Sequence, residues 1–372
     1  MIRWLLLFLF FNSLTITAQE LKTRNVVIVT LDGYRWRELF CGADPNILFN
    51  DRYVNDSSVH RFWHERPELR RQKLMPFMWN VVGAKGQLYG NRKYGNRMKL
   101  ANLSLYSYAG YAEMFVGFAD RRVRKNDPVI NPNHTVLETI NKHEEFRGEV
   151  AAFATWSIMP YILREEASGI SVNAGNEQAT AHPLTDLEHA LNAITEEGRH
   201  AYGDRYDSLT FLYAFEYLKK KKPRVLYISF GETDEHAHAG RYDKYLSSAH
   251  RTDSMMNVLW TWLQNHEQYR EKTTFIIGTD HGRGTSPRGW VRHALLFRGS
   301  RQVWLAVIGP DTPPSGEMIN RQVIRQKQIA ATIAAFLGVP YTNRRNPGDV
   351  INTVFWDERI PEQPETWDSV GR

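Results

Sequence analysis

The run Val26-Val27-Ile28-Val29-Thr30-Leu31 offers water no polar face. A half-exposed strand alternates apolar and polar residues; a strand buried on both faces does not. Such burial belongs to a parallel sheet covered by helices on either side. Four further short runs are similar: Val150–Ala154, Val225–Phe230, 274–278 and 303–308. Between them lie amphipathic stretches at 187–197, 207–219, 242–266 and 323–337, the last stopped by Gly338 with Pro340 beyond. The alternation predicts an α/β fold: a doubly wound, mostly parallel sheet with helices on both faces. The 372 residues, 42% of them hydrophobic, suffice for one large core. We expect a single domain over 19–372, with insertions around 38–99 and 121–205. Past Thr342 the chain is rich in Pro and Asn and reads as a surface tail.

The first 18 residues read as a signal peptide. Arg3 precedes an apolar run from Trp4 to Phe11, and Ala18 offers a cleavage point before Gln19. The run is too short to span a bilayer comfortably, so no stable membrane insertion is expected after cleavage. A secreted or periplasmic location follows. The formal net charge of +6 suits anionic substrates but is spread along the chain. Its one dense run, Lys219-Lys220-Lys221-Lys222, reads as a solvated helix end, favoured there by the helix dipole. No nucleic-acid polymer is expected as a partner. Cys41 is the only cysteine, which excludes an internal disulfide and any thiolate zinc site.

Three strand-like runs lead into aspartates: Asp32, Asp234 and Asp280. Ligands of open parallel sheets bind beyond the carboxyl ends of the strands, so all three could meet at one edge. Each alone could be a helix cap. Together and unpaired they would repel one another, and divalent cations would resolve that conflict. Histidines accompany them: His236 and His238 after Asp234, His281 beside Asp280, and His293 a dozen residues later. Mixed carboxylate and imidazole ligands suit zinc above manganese or iron. His236 reads as either a supporting or a solvated group. His60, His64, His182, His189, His200 and His250 read as structural, the last at the surface beside Arg251.

With these residues in place, the chain resembles the alkaline phosphatase superfamily. It looks closest to the type I phosphodiesterase and nucleotide pyrophosphatase branch, including its exported bacterial members. The resemblance rests on Asp32 after the first strand, Asp234 with His238, Asp280-His281-Gly282, and His293 before a strand ending in Gly309-Pro310. A final helix through Ile329 to Gly338 adds to it. The frame Ser107-Tyr108-Ala109-Gly110-Tyr111 places Ser107 at the family's nucleophile position, with Ala109 where the family often has Pro; Ser104 is the alternative.

The resemblance implies two divalent metal ions about 4 Å apart. One would be held by Asp32, Ser107, Asp280 and His281, the other by Asp234, His238 and His293. It implies hydrolysis of a small-molecule phosphate ester through a phosphoseryl intermediate, with Arg283 as a candidate clamp on a phosphoryl oxygen. A sulfatase is the nearest alternative, but the Cys- or Ser-x-Pro-x-Arg pattern is missing at Ser107. A related phosphomutase fits poorly with export. A non-catalytic binding protein on the same scaffold is a further alternative. A metal-free Ser-His-Asp hydrolase would need a Gly-x-Ser-x-Gly elbow, which the sequence lacks.

Overall fold

The computed structural model describes residues 20–197 and 203–357. The expected signal peptide and His200 lie outside them. Eleven strands occur among the described residues: β1 (Asn25–Leu31), β2 (Gln87–Tyr89), β3 (Asn96–Lys99), β4 (Val150–Ala154), β5 (Ser171–Ala174), β6 (Val225–Phe230), β7 (Thr273–Gly278), β8 (Gln302–Val303), β9 (Leu305–Ile308), β10 (Gly316–Glu317) and β11 (Gln322–Arg325). Eight of them form one sheet in the order β10-β2-β9-β7-β1-β6-β4-β5. Within it β9 alone runs antiparallel to its neighbours. A small sheet, β11-β3-β8, sits beside it.

The apolar β1 run is at the centre, hydrogen-bonded in parallel to β6 and β7. Its alternate residues serve two cores. Val26 and Ile28 face one, which includes Tyr111 and Phe115 of the helix Ser107–Val116 and Ile333 of the helix Gln328–Phe336. Val27, Val29 and Leu31 face the other, with Tyr213 of the helix Asp207–Lys221 and Tyr245 and Leu259 of the helix Tyr242–Asn265. This two-sided cover is why the strand carries no polar face. No described helix is long and apolar enough to cross a membrane.

Several local expectations change. The 303–308 run is split: β8 joins the small sheet and β9 the large one, hinging at Trp304, whose indole donates to Tyr34 O at 2.8 Å. The 323–337 stretch begins as strand, because 322–325 pairs in parallel with β3 before the helix Gln328–Phe336 starts. The stretches read as insertions also build the sheet, since β2 lies in 38–99 and β4 and β5 in 121–205. His250 is half-buried, with Nδ1 2.8 Å from Leu74 O.

The segment past Thr342 is no surface tail as far as residue 355. Ile351, Val354 and Phe355 are buried, and the Phe355 ring lies 4.4 Å from that of Phe336. Phe355→Ala should therefore lower unfolding stability by about 3 kcal/mol in urea denaturation, whereas exposed Arg344→Ala should change it little.

Candidate active site

Because β6, β1 and β7 are adjacent and parallel, their carboxyl ends open at one edge of the sheet. Asp32 follows β1 directly, and Asp280 follows β7 by two residues. Asp234 and His238 lie on the short helix Glu232–His238 after β6, one turn apart, with His238 Nε2 3.0 Å from Asp234 Oδ2. Ser107 begins its helix on the neighbouring segment, its Oγ 3.2 Å from His281 Nε2 and 3.5 Å from Asp32 Oδ1. Ser104 sits apart from this cluster, its hydroxyl donating to Val123 O at 3.3 Å.

His293 arrives on the long loop between β7 and β8. Trp290, fully buried, stacks edge-on against Tyr53, Tyr242 and Tyr245 and anchors that loop. Arg283 ties it to the site. Its Nε donates to Trp290 O at 2.9 Å, its Nη2 to Val291 O at 2.7 Å, and its Nη1 to the Asp234 carboxylate. All three nitrogens are thus engaged inside the protein, and the side chain is 1% exposed. A clamp on a substrate oxygen needs donors facing the cleft, whereas here the Arg283 donors face Trp290, Val291 and Asp234.

The imidazoles are oriented from behind. His293 Nδ1 lies 2.7 Å from Leu105 O, and His281 Nδ1 lies 3.0 Å from Gly282 O. A proton on each Nδ1, the tautomer those carbonyls favour, leaves both Nε2 lone pairs directed into the cluster. Around His281 Nε2 stand Asp32 Oδ1 at 3.3 Å, Asp280 Oδ2 at 3.4 Å and Asp234 Oδ1 at 3.7 Å. His293 Nε2 lies 3.1 Å from His238 Nε2 and 4.0 Å from Asp234 Oδ1. His236 points elsewhere, 3.8 Å from Glu232.

This arrangement brings acceptors together with few donors between them. Burial, and then the charge of Asp234, pushes the Asp32 carboxyl well above its usual range against the opposing hydrogen bond from Tyr111. Burial and the charge of Asp32 do the same to Asp280. Burial would also raise Asp234, but the Arg283 guanidinium, then the hydrogen bond with His238, outweighs it and holds that carboxyl low. Burial, then the neighbouring His281, depresses the His293 imidazole to about 2. Asp280 Oδ2 is buried and accepts no hydrogen bond among the described residues. Asp32, Asp280 and His281 place ligand atoms within 4.8 Å of one another, as do Asp234, His281 and His293. An orphaned carboxylate oxygen amid converging lone pairs fits divalent cations, and the donor set of carboxylate and imidazole suits zinc.

Several supporting groups carry no signal in the sequence. Tyr111 donates to Asp32 Oδ2 at 3.1 Å, one helical turn beyond Ser107. Glu113 holds the loop before Ser107 by accepting from the Ala101 and Asn102 amides at 2.8 and 2.7 Å. Asn126 accepts from the Tyr108 amide at 3.0 Å. With Trp156 and Glu235, Asn126 also lines a cavity of about 80 Å³ that opens on Asp32, Ser107 and Asp234. These partners are distant in sequence or generic in type, so no local pattern marks them. The Asp32-Gly33 pair is the exception, since a glycine after a strand-end acid hints at close approach.

The structure superposes on a mutant of the alkaline phosphatase PafA with a TM-score of 0.58, at 9% identity, over 91% of this chain and 99% of that one. The chain has the alkaline-phosphatase fold. The same fold relates it to a 2-O GAG sulfatase, with a TM-score of 0.58 at 11% identity over 92% of this chain and 76% of the other. It relates it also to the phosphonate monoester hydrolase of Agrobacterium radiobacter, at 0.53 and 13% identity over 92% and 78%. No protein-family model and no curated protein matches the chain.

Within this alkaline-phosphatase fold, Gly33 is where backbone and site meet. Its φ is +59°, and its amide donates to Asp280 Oδ1 at 3.0 Å. A Cβ there would lie 2.5 Å from Asp234 Oδ1 and 2.8 Å from Arg283 Nη1. Gly33→Ala should weaken divalent-cation binding by about tenfold or more in isothermal titration while leaving the far-ultraviolet circular dichroism near wild type.

Proposed function

We propose that this protein is a metal-dependent hydrolase of phosphate esters in which Ser107 is the nucleophile. One observation carries the reading: the Ser107 hydroxyl stands at a helix start, buried beside His281 Nε2 and Asp32, inside the cluster of carboxylates and imidazoles. A lone buried serine is a poor nucleophile at neutral pH. Two divalent cations, held by Asp32, Ser107, Asp280 and His281 and by Asp234, His238 and His293, would supply the positive charge that stabilises the serine oxyanion and the phosphoryl oxygens. The chain does the rest. Tyr111 and the Gly33 amide fix the Asp32 and Asp280 carboxylates. Arg283 fixes Asp234 and, through Trp290, the loop of His293. Ser107 Oγ attacks phosphorus, the alcohol departs with a proton, and water then cleaves the phosphoseryl ester.

The similarity to phosphatase, phosphonate hydrolase and sulfatase structures supports a hydrolase of phosphate or sulfate esters. Phosphate is favoured over sulfate by residue 111. The sulfatase pattern calls for Arg four residues after the nucleophile; here Tyr111 stands there and is engaged with Asp32. The likeness of the motifs to the type I phosphodiesterase branch, and the expected signal peptide, support a diesterase or monoesterase acting outside the cytoplasm.

A panel of aryl phosphate monoesters, diesters, phosphonates and sulfates on zinc-loaded protein tests this. Phosphate-ester turnover should exceed sulfate turnover and be abolished by chelation. Ser107→Ala should lower turnover about a thousandfold while retaining bound metal. Sulfate preference, chelator-resistant turnover or an active Ser107→Ala variant would refute the reading.

A further inference from the structure

A second cavity, of about 230 Å³, lies beside the reaction centre. Arg92, Lys99, Arg298 and Arg301 wall it, with Leu105 and Phe297. Pairing of β3 with β8 sets Lys99 opposite Gln302 and brings the four cations, from three separate segments, to one place. No acidic residue lines the cavity. Glu317, held by neighbouring Asn91, is already ion-paired with Arg71 at 2.9 Å. Arg301 is steadied by two donations to Leu100 O, at 3.3 and 2.8 Å. Arg92 Nη1 is buried and has no hydrogen-bond partner among the described residues.

Four cations around one void, one with an unsatisfied buried donor, are an electrostatic cost that packing alone does not offset. Burial, then Arg325 and Arg301, depresses the Lys99 ammonium; burial, then Arg97 and Arg298, depresses Arg92. An anion in the cavity removes both the repulsion and the orphaned donor, and guanidinium groups suit the paired oxygens of phosphate or sulfate. The cavity borders the reaction centre through Leu105, which lines it while its carbonyl meets His293 Nδ1.

We propose that this cavity is a second oxyanion site, binding a phosphate- or sulfate-type group apart from the one reacting at Ser107. The claim does not depend on the reaction. Titrating the full chain with orthophosphate, with and without chelator, tests it. Anion binding at the metal cluster should vanish with chelator, while one saturable site persists. Arg92→Gln, and separately the exposed Arg298→Gln, should weaken the persistent site about tenfold. In phosphate-free buffer Arg92→Gln should melt no lower than wild type, since it relieves repulsion. A parallel titration with polyphosphate separates sources: tighter binding than orthophosphate identifies a chain-borne group, equal binding a free ion. No persistent site, or unchanged binding in both variants, would overturn the proposal.

Discussion

Carboxylates and imidazole lone pairs converge where three adjacent parallel strands end, and nearly everything around them serves to hold that unfavourable meeting in place. Asp32, Asp234 and Asp280 approach one another because β6, β1 and β7 are neighbours in register. Left to themselves, the three carboxyl groups cannot all ionise at ordinary cost, as the raised Asp32 and Asp280 and the lowered Asp234 express. Divalent cations would turn the same convergence into a stable arrangement.

The scaffold accepts the conflict because it is braced from outside. The Arg35–Glu38 ion pair is fully buried, with Arg35 Nη1 donating to Gly284 O at 3.0 Å and Tyr242 donating to Glu38 at 2.8 Å. That network fixes the backbone just past Asp280-His281. Trp290 fixes the far end of the same loop, and Arg283 spans the two. On the opposite side, buried Asp207 accepts from Thr155 and the Gly231 amide at 2.7 and 2.8 Å, setting the turn that leads to Asp234. Precise placement of the cluster therefore depends on rigid aromatic and ionic contacts a shell away from it.

Much of this was legible from residue types alone. The unbroken apolar β1 run fitted a strand buried on both faces of a parallel sheet, and an acid after each of three such runs pointed to one edge. The order β7-β1-β6, which makes the acids neighbours, is a long-range property that no local pattern carries. His293 was noticed as a histidine a dozen residues past Asp280, but nothing local ties it to the cluster, since the Trp290 anchor and the Arg283 tie are long-range contacts. Arg283 looked like a substrate clamp because proximity in sequence to Asp280-His281 says nothing about which way a guanidinium turns. The 303–308 run misled because burial in two different sheets leaves the same apolar signature as burial in one. The basic cavity was invisible because its charges are scattered between residues 92 and 301.

The most direct test is anomalous diffraction at the zinc edge from crystals of the full chain grown with zinc. The account predicts two peaks about 4 Å apart, within coordinating distance of Asp32, Asp280 and His281 and of Asp234, His238 and His293. Ordered density for those side chains with no peak among them, or zinc found only at unrelated surface positions, would contradict it.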